Sequence, residues 1–203
     1  MKPRYSIHMN GTARPLRAIA FDLDSTLTKP YLDFRRLRAQ LNLPEGDILQ
    51  WLDRLPPHDQ QHALRIIEMF EQDGVENVAW NDGAAETVAI IQQKMCLPVA
   101  IVTRNSRTSL IAVCKKLQLQ VDQLIARDDA PPKPDPECIR FAARQLAVPV
   151  NQILMIGDYR HDTEAGRAAG AMTVLLTNGR EPAWIVEADL VISRLPELFS
   201  YIV

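Results

Sequence analysis

The sequence predicts an α/β protein with a three-layer core around a parallel sheet and a small all-helical unit inserted into that core. Short apolar, β-branched runs recur along the chain and predict buried strands. Stretches with helical spacing of apolar residues separate most of these runs, which is typical of parallel strands joined by helical crossovers. Between residues 31 and 80 three helix-like stretches follow one another with no strand candidate between them, which predicts the insertion.

Five apolar runs predict the strands of the sheet, at residues 17–21, 98–102, 122–125, 152–156 and 172–176. A sixth run, Leu190–Ile192, is a candidate edge strand. The stretches 106–117 and 135–146 have the helical spacing expected of crossover helices.

The insertion is predicted at residues 29–81, which leaves residues 1–28 and 82–203 for the core domain. Its helix-like stretches read FRRLRAQLNL, DILQWLDRL and HALRIIEMFEQ. Turn-forming residues, Thr28-Lys29-Pro30 on one side and Asn81-Asp82-Gly83 on the other, mark its two edges.

Composition and charge favour a soluble protein that acts on a small molecule. The chain has 203 residues, 47% of them hydrophobic and 24% charged, which is the balance of an ordinary globular domain. A formal net charge of -2 provides no overall basic field for binding a nucleic acid. No apolar stretch is long enough to span a membrane, and the first residues lack the apolar segment of a secretory signal. We therefore expect a cytoplasmic protein with no nucleic-acid and no membrane partner.

Two carboxylates follow the first predicted strand, in Phe21-Asp22-Leu23-Asp24. In an open parallel sheet, ligands bind just beyond the carboxyl ends of the strands. Because side chains alternate along a strand, Asp22 and Asp24 can face the same reacting group. This spacing permits one carboxylate to act as a nucleophile and the other as an acid/base.

A second acidic pair, Asp158 and Asp162, follows the predicted strand that ends at residue 156. If both pairs converge with a lysine such as Lys133, the site carries a charge of about -3, which disfavours ionisation of every carboxylate unless a cation is bound. Mg²⁺ prefers carboxylate, carbonyl and phosphate oxygens, so it is the cofactor that this set of ligands predicts.

Two further segments offer groups that suit a phosphate. Thr103 follows the run VAIV, and Lys133 lies among the prolines of PPKPDP. A hydroxyl and an ammonium both donate to phosphoryl oxygens, and the prolines restrict the backbone around the lysine. Arg104 and Asn105, directly after Thr103, are candidate phosphate donors too; the alternative is that they only start the next helix.

The four segments DLDST, VTRNS, the lysine of PPKPDP, and GDYRHD resemble, in this order, the four motifs of the haloacid dehalogenase superfamily, specifically its phosphatase branch. The resemblance covers residues 18–178 and is closest to phosphoglycolate phosphatase-like members. It implies a three-layer Rossmann-like core with a helical cap inserted between the first two motifs.

The resemblance also implies roles for the motif residues. Asp22 would be the nucleophile and Asp24 the general acid/base, oriented by Thr26. Asp22, the backbone carbonyl of Asp24, and Asp158 would hold Mg²⁺, while Asp162 would support the water shell of the metal or Lys133. These roles imply hydrolysis of a small phosphate monoester through an aspartyl phosphate.

The phosphate would be bound by Thr103 and Lys133, with Arg104 as a further candidate. The substrate would be a small phosphorylated metabolite, such as a sugar phosphate, phosphoglycolate or a nucleotide. One residue departs from the family pattern: Ser25 stands where many relatives have glycine, so the loop after Asp24 is expected to differ slightly.

Two other functions remain open from the sequence. A phosphomutase or phosphotransferase would form the same phosphorylated Asp22 and pass the group to an alcohol. A protein that keeps the fold without turnover would only bind its ligand. The sequence does not determine the oligomeric state.

Overall fold

A computed structural model describes residues 5–181 and 188–203. The strands of the described residues are β1 Tyr5–Met9, β2 Thr12–Leu16, β3 Ala18–Phe21, β4 Val99–Val102, β5 Gln123–Ile125, β6 Ile153–Gly157, β7 Met172–Leu176 and β8 Leu190–Ile192. Six of them form one parallel sheet in the order β5-β4-β3-β6-β7-β8, and β1 and β2 form an antiparallel hairpin. The predicted strands of the parallel sheet are confirmed, and β8 is the edge strand.

Helices cover both faces of the sheet, which confirms the three-layer architecture. The helices are α1 Phe34–Gln40, α2 Ile48–Leu52, α3 Pro57–Gly74, α4 Ala84–Ala89, α5 Arg107–Leu117, α6 Glu137–Gln145 and α7 Arg160–Ala169. In β3, Ala18 and Ala20 face a core cluster that includes residues of α6 and α7, whereas Ile19 and Phe21 face a larger cluster that includes residues of α4 and α5. Every helix in the described part of the chain is too short or too polar to span a bilayer.

The strand order positions a ligand crevice at the centre of the sheet. The chain runs from β3 outward through β4 to β5 and then returns to β6, on the other side of β3. A crevice forms outside the carboxyl ends of the strands where the direction of winding reverses, here between β3 and β6. The motif aspartates that follow these two strands therefore lie at the reversal point.

The hairpin of β1 and β2 was not predicted from the sequence. Asn10 and Gly11 connect these strands with φ angles of 49° and 73°, which are the left-handed conformations of a two-residue hairpin turn. The C-terminus extends this hairpin, since Ile7 pairs with Ile202 in an antiparallel bridge. The Asn-Gly dipeptide was the sequence signal for the hairpin.

Helices α1, α2 and α3 form the helical insertion that was predicted between the first two motifs. Its two linkers lie side by side, because Thr28 and Trp80 pair as an antiparallel bridge. The insertion has a small core of its own, formed by Leu37, Leu52, Ala63 and Ile67. These contacts support the boundaries at residues 29 and 81, which we retain as a proposal.

Candidate active site

Lys133 lies at the centre of the crevice and connects three segments of the chain. Its ammonium donates hydrogen bonds of 2.6 Å each to a carboxylate oxygen of Asp22, a carboxylate oxygen of Asp162 and the backbone carbonyl of Val102. The lysine is only 1% exposed. Burial by itself would lower its pKa, but Asp162 and Asp22 raise the pKa above its ordinary value, so the ammonium stays charged.

Asp162 reaches this lysine from the first turn of α7. Its second carboxylate oxygen accepts a hydrogen bond of 3.0 Å from the backbone N–H of Tyr159, which caps the helix. A Cβ atom at Gly157 would lie only 2.1 Å from the carboxylate carbon of Asp162. The glycine of the GDYRHD segment therefore provides the space that this aspartate occupies.

Asp22, Asp158 and Asp162 form an acidic cluster whose ligand oxygens lie within 4.8 Å of one another. Burial raises the pKa of Asp22 well above its usual value. Lys133 opposes this rise, whereas the neighbouring carboxylates add to it. Burial and the charge of Asp162 raise the pKa of Asp158 to about 7. Such mutual repulsion between carboxylates, with only oxygen ligands present, fits a hard divalent cation.

Asp24 lies in the turn after β3 and is contacted by two side chains. Asn105 donates a hydrogen bond of 2.8 Å to one carboxylate oxygen, while the other oxygen has no hydrogen-bond partner among the described residues. Burial raises the pKa of Asp24 to about 6, although hydrogen bonding by Tyr31 and Asn105 opposes this rise. A carboxyl group with this pKa can both donate and accept a proton near neutral pH.

Ser25 adopts the left-handed backbone conformation, which a glycine adopts more easily than a serine. Its φ angle is 62°. The carbonyl of Ser25 accepts hydrogen bonds from the side-chain amides of Asn178, at 2.7 Å, and Asn81, at 3.3 Å. These bonds hold the loop in a conformation that costs a serine about 1 kcal/mol.

The two threonines with predicted supporting roles, Thr103 and Thr26, are both buried. Thr103 is buried, and its hydroxyl accepts a hydrogen bond of 3.2 Å from the backbone N–H of Asn105. Thr26 is fully buried, and its hydroxyl has no hydrogen-bond partner among the described residues, so Asn105 rather than Thr26 contacts Asp24. The roles assigned to both threonines stay predictions.

Arg104 points into the crevice, but its guanidinium is paired with the helical insertion. It donates two hydrogen bonds, of 2.7 and 2.6 Å, to the two carboxylate oxygens of Asp47. Asp47 also lies 3.3 Å from a ring nitrogen of His161. Burial and the charge of Arg104 lower the pKa of His161 to about 4. Since Asp47 neutralises Arg104 here, the predicted phosphate contact of this arginine stays a prediction.

A cavity of about 570 Å³ lies between the core and the insertion and contains these groups. The core contributes the polar end, including Asp22, Asp24, Lys133 and Asp158. The insertion contributes the opposite wall, in which apolar and charged side chains are interspersed: Phe34, Leu37, Ile48, Leu49 and Ile67 with Arg35, Arg38, Glu45, Asp47 and Glu71. The arrangement can hold a phosphate at the carboxylate end and an organic group under the helices.

Three polar residues that interact with the motif segments, Tyr31, Asp47 and Glu71, were not predicted from the sequence. Asp47 precedes α2 and caps it, because its side chain accepts a hydrogen bond of 3.0 Å from the backbone N–H of Gln50. The capping role was readable from the sequence, whereas the contact with Arg104 was not. Asn105 was named as a candidate phosphate donor, and its contact with Asp24 was not foreseen.

Comparisons with known proteins agree with this geometry. The sequence pattern of haloacid dehalogenase-like hydrolases matches residues 16–170. A haloacid dehalogenase-like hydrolase domain-containing protein of Arabidopsis thaliana is 28% identical over 194 residues, covering 87% of this chain and 78% of its own. A phosphoglycolate phosphatase of Pseudomonas syringae pv. tomato is 32% identical over 191 residues, covering 80% of this chain and 70% of its own.

A solved structure shows the same fold. The crystal structure of a hydrolase from Pseudomonas syringae superposes with a TM-score of 0.78, at 22% identity, over 91% of this chain and 96% of the other. The family pattern covers all four motifs up to Asp162, in the order in which the sequence presents them. The chain therefore belongs to the haloacid dehalogenase-like hydrolase family.

Proposed function

We propose that this enzyme is a Mg²⁺-dependent phosphatase that hydrolyses a small phosphate monoester through a phosphorylated Asp22. One observation carries the proposal: a buried lysine and an acidic cluster meet on Asp22 at the end of β3, where the cavity opens. A lysine and a metal-binding cluster beside one carboxylate suit the transfer of a phosphoryl group, which needs positive charge around its oxygens. The phosphoglycolate phosphatases among the relatives support this reaction class.

Asp22, Asp158 and the backbone carbonyl of Asp24 would hold the Mg²⁺. The third carboxylate of the cluster, Asp162, has both oxygens engaged, by Lys133 and by the backbone N–H of Tyr159. It is therefore better suited to fixing Lys133 than to binding the metal directly. When bound, Mg²⁺ would neutralise the cluster and polarise the phosphoryl oxygens.

The first chemical step is attack by the Asp22 carboxylate on phosphorus, which breaks the bond to the leaving alkoxide. Asp24 gives its proton to that alkoxide, so that an alcohol leaves and Asp24 becomes ionised. Lys133, together with Thr103, binds the equatorial phosphoryl oxygens. The three hydrogen bonds of Lys133 use all of its N–H donors, so its bond to Asp22 is exchanged for one to a phosphoryl oxygen when the substrate binds. The bonds to Asp162 and to the carbonyl of Val102 keep the ammonium in place as the transition state forms.

The second step hydrolyses the phosphorylated Asp22. Water attacks phosphorus, Asp24 accepts one proton of that water, and the carboxylate of Asp22 leaves. Inorganic phosphate is released, and Asp24 is again protonated for the next cycle. The pKa of Asp24, raised to about 6 by burial, suits a group that must act as acid and then as base.

The substrate would be a small organic phosphate, such as a sugar phosphate, phosphoglycolate or a nucleotide, and the predicted location is the cytoplasm. The phosphate would occupy the carboxylate end of the cavity and the organic group would lie against the insertion. The arginines Arg35 and Arg38, on α1, line this part of the cavity. An anionic or hydroxylated leaving group would find donors there.

Phosphate release from a panel of small phosphate esters, with and without Mg²⁺, tests this proposal. We expect Mg²⁺-dependent release by the wild type and none by Asp22→Asn, which retains the shape of the side chain but is a poor nucleophile. Release by Asp22→Asn at the wild-type rate would refute the mechanism. Release only when a second alcohol is added would favour a phosphotransferase, and binding without turnover would favour a non-catalytic protein.

A further inference from the structure

Glu71 is a buried acidic residue of the insertion that the mechanism above does not use. It lies in the last turns of α3 and is 4% exposed. One carboxylate oxygen accepts a hydrogen bond from the guanidinium of Arg127, and the other accepts a bond of 3.0 Å from the backbone N–H of Ser106. The side chains of Glu71 and Arg127 are only 5% and 9% exposed, so solvent screens this ion pair little.

The same ion pair holds the loop that follows β4. The guanidinium of Arg127 donates a bond of 3.1 Å to the carbonyl of Arg104, and the backbone N–H of Arg127 donates a bond of 3.1 Å to the carbonyl of Asn105. With the bond from Ser106 to Glu71, three consecutive residues of the loop are fixed by their backbones. The loop position is therefore determined by Glu71 and Arg127 as well as by β4.

Asn105 lies in the middle of this fixed loop, and its side chain contacts the reacting groups. Its side-chain amide donates the 2.8 Å hydrogen bond to Asp24. A shift of the loop would lengthen this bond, because the amide is carried on a short side chain. The contact between Asn105 and Asp24 thus depends on two residues that do not touch Asp24.

We propose that Glu71 is a positioning residue for Asp24, acting through Arg127 and the backbone of Asn105. This inference rests on the proposed function, in which Asp24 gives a proton to the leaving alkoxide. The insertion then supplies more than the wall of the cavity, because a carboxylate of α3 orients the acid/base of the core. Loss of Glu71 impairs proton transfer in particular, rather than phosphate binding by Lys133.

The test compares two substrates that differ in their need for a proton. An alkyl phosphate releases a strongly basic alkoxide, whereas p-nitrophenyl phosphate releases a weakly basic phenolate that leaves without general-acid help. The ratio kcat/KM reports on steps up to the first irreversible one, here the release of the alcohol or phenol. We expect Glu71→Gln to lower kcat/KM about tenfold for the alkyl ester and less than about twofold for the aryl ester.

The matched control is Glu76→Gln, which removes a surface ion pair. In this pair Glu76, directly after α3, lies 3.5 Å from Lys116 of α5. This control should leave both values of kcat/KM unchanged. Asn105→Ala should reproduce the selectivity of Glu71→Gln, and the double variant should lose no more than Asn105→Ala alone, because both changes act on one contact. Circular dichroism monitors folding, and Arg127→Lys replaces Glu71→Gln if the latter does not fold.

Equal losses for both esters would overturn the proposal, since they would show a general structural role for Glu71. Additive losses in the double variant would overturn it too, because Glu71 and Asn105 would then act independently. A wild type that hydrolyses neither ester would refute the proposed function, and the role of Glu71 with it. An alkyl-selective loss shared by Glu71→Gln and Asn105→Ala supports the proposal.

Discussion

Replacement of Lys133 by methionine should destabilise the fold in a way that depends steeply on pH. Methionine roughly preserves the length of the buried stem, so the main change is the loss of the ammonium. In the wild type the ammonium lies 2.6 Å from oxygens of both Asp22 and Asp162. At an effective dielectric constant of about 20, each contact represents an attraction of about 6 kcal/mol, before desolvation is subtracted.

The measurable loss is smaller, because a buried carboxylate can escape the missing partner by taking up a proton. Protonation of a carboxylate with an ordinary pKa costs about 4 kcal/mol at pH 7 and about 1.5 kcal/mol at pH 5. Breaking a buried ion pair by removing one partner typically costs about 3 to 5 kcal/mol. We therefore expect a loss of about 3 to 5 kcal/mol at pH 7 and of about 1 to 2 kcal/mol at pH 5.

The direction of this pH dependence follows from the folded-state pKa of Asp22. Burial raises this pKa, and the charge of Lys133 limits the rise. Without the ammonium this pKa rises further, so the folded variant binds protons more strongly than the unfolded chain as the pH falls. The deficit of the variant is full at pH values above the folded pKa and shrinks as the pH falls toward the ordinary pKa of a carboxyl group.

Urea denaturation followed by circular dichroism, at pH 7 and pH 5 in metal-free buffer, measures this deficit. The double variant Lys133→Met/Asp162→Asn is the control, since it removes one of the two carboxylates left unpaired. It should recover part of the stability at pH 7. A deficit that is equal at both pH values would refute the reasoning, because it would assign the contribution of Lys133 to packing rather than to charge.

Three further predictions concern the insertion and the acidic cluster. Burial would raise the pKa of Asp47, but Arg104 and a backbone N–H hold this pKa at about 2. Urea denaturation should therefore show that Asp47→Asn loses about 1 to 2 kcal/mol of stability at pH 7, and that this loss disappears as the pH falls from about 4 to about 2. Leu37→Ala, at a residue 1% exposed in the small core of the insertion, should cost about 2 to 5 kcal/mol and speed proteolysis of residues 29–81. Asp158→Asn should weaken Mg²⁺ binding at least about tenfold by calorimetry and reduce the rise in Tm that Mg²⁺ produces in the wild type.

Each of these has a result that contradicts it. A stability difference for Asp47→Asn that persists below about pH 2 would show that its charge is not what stabilises the fold. If Leu37→Ala is cleaved by protease at the same rate as the wild type, the small core of the insertion does not control the opening of residues 29–81. An unchanged Mg²⁺ affinity for Asp158→Asn would remove that residue from the metal site, and Asp162→Asn would be the next variant to measure.

The sequence by itself determined the sheet and the family. Apolar, β-branched runs placed all six parallel strands because strands buried on both faces leave a nearly continuous apolar pattern. The hairpin before residue 17 was missed because apolar residues alternate with polar ones in its strands and because the second strand includes Pro15. Its Asn-Gly turn was the signal that could have identified it.

The sequence also placed Asp22 and Asp158 at the carboxyl ends of predicted strands, which share one edge of a parallel sheet. The structure brings both carboxylates together with Lys133. The role of Thr26 stays a prediction: its hydroxyl is buried and has no hydrogen-bond partner among the described residues. Short separation along a turn does not determine where a side chain points.

Only the tertiary structure showed how the insertion meets the core. Asp47 pairs with Arg104 across 57 positions of sequence, and Glu71 pairs with Arg127 across 56. Nothing in local propensity or periodicity relates such residues, because their contact depends on how α2 and α3 are oriented over the sheet. Charged residues on the helices of an insertion usually face solvent, and burial alone distinguished these two from the rest.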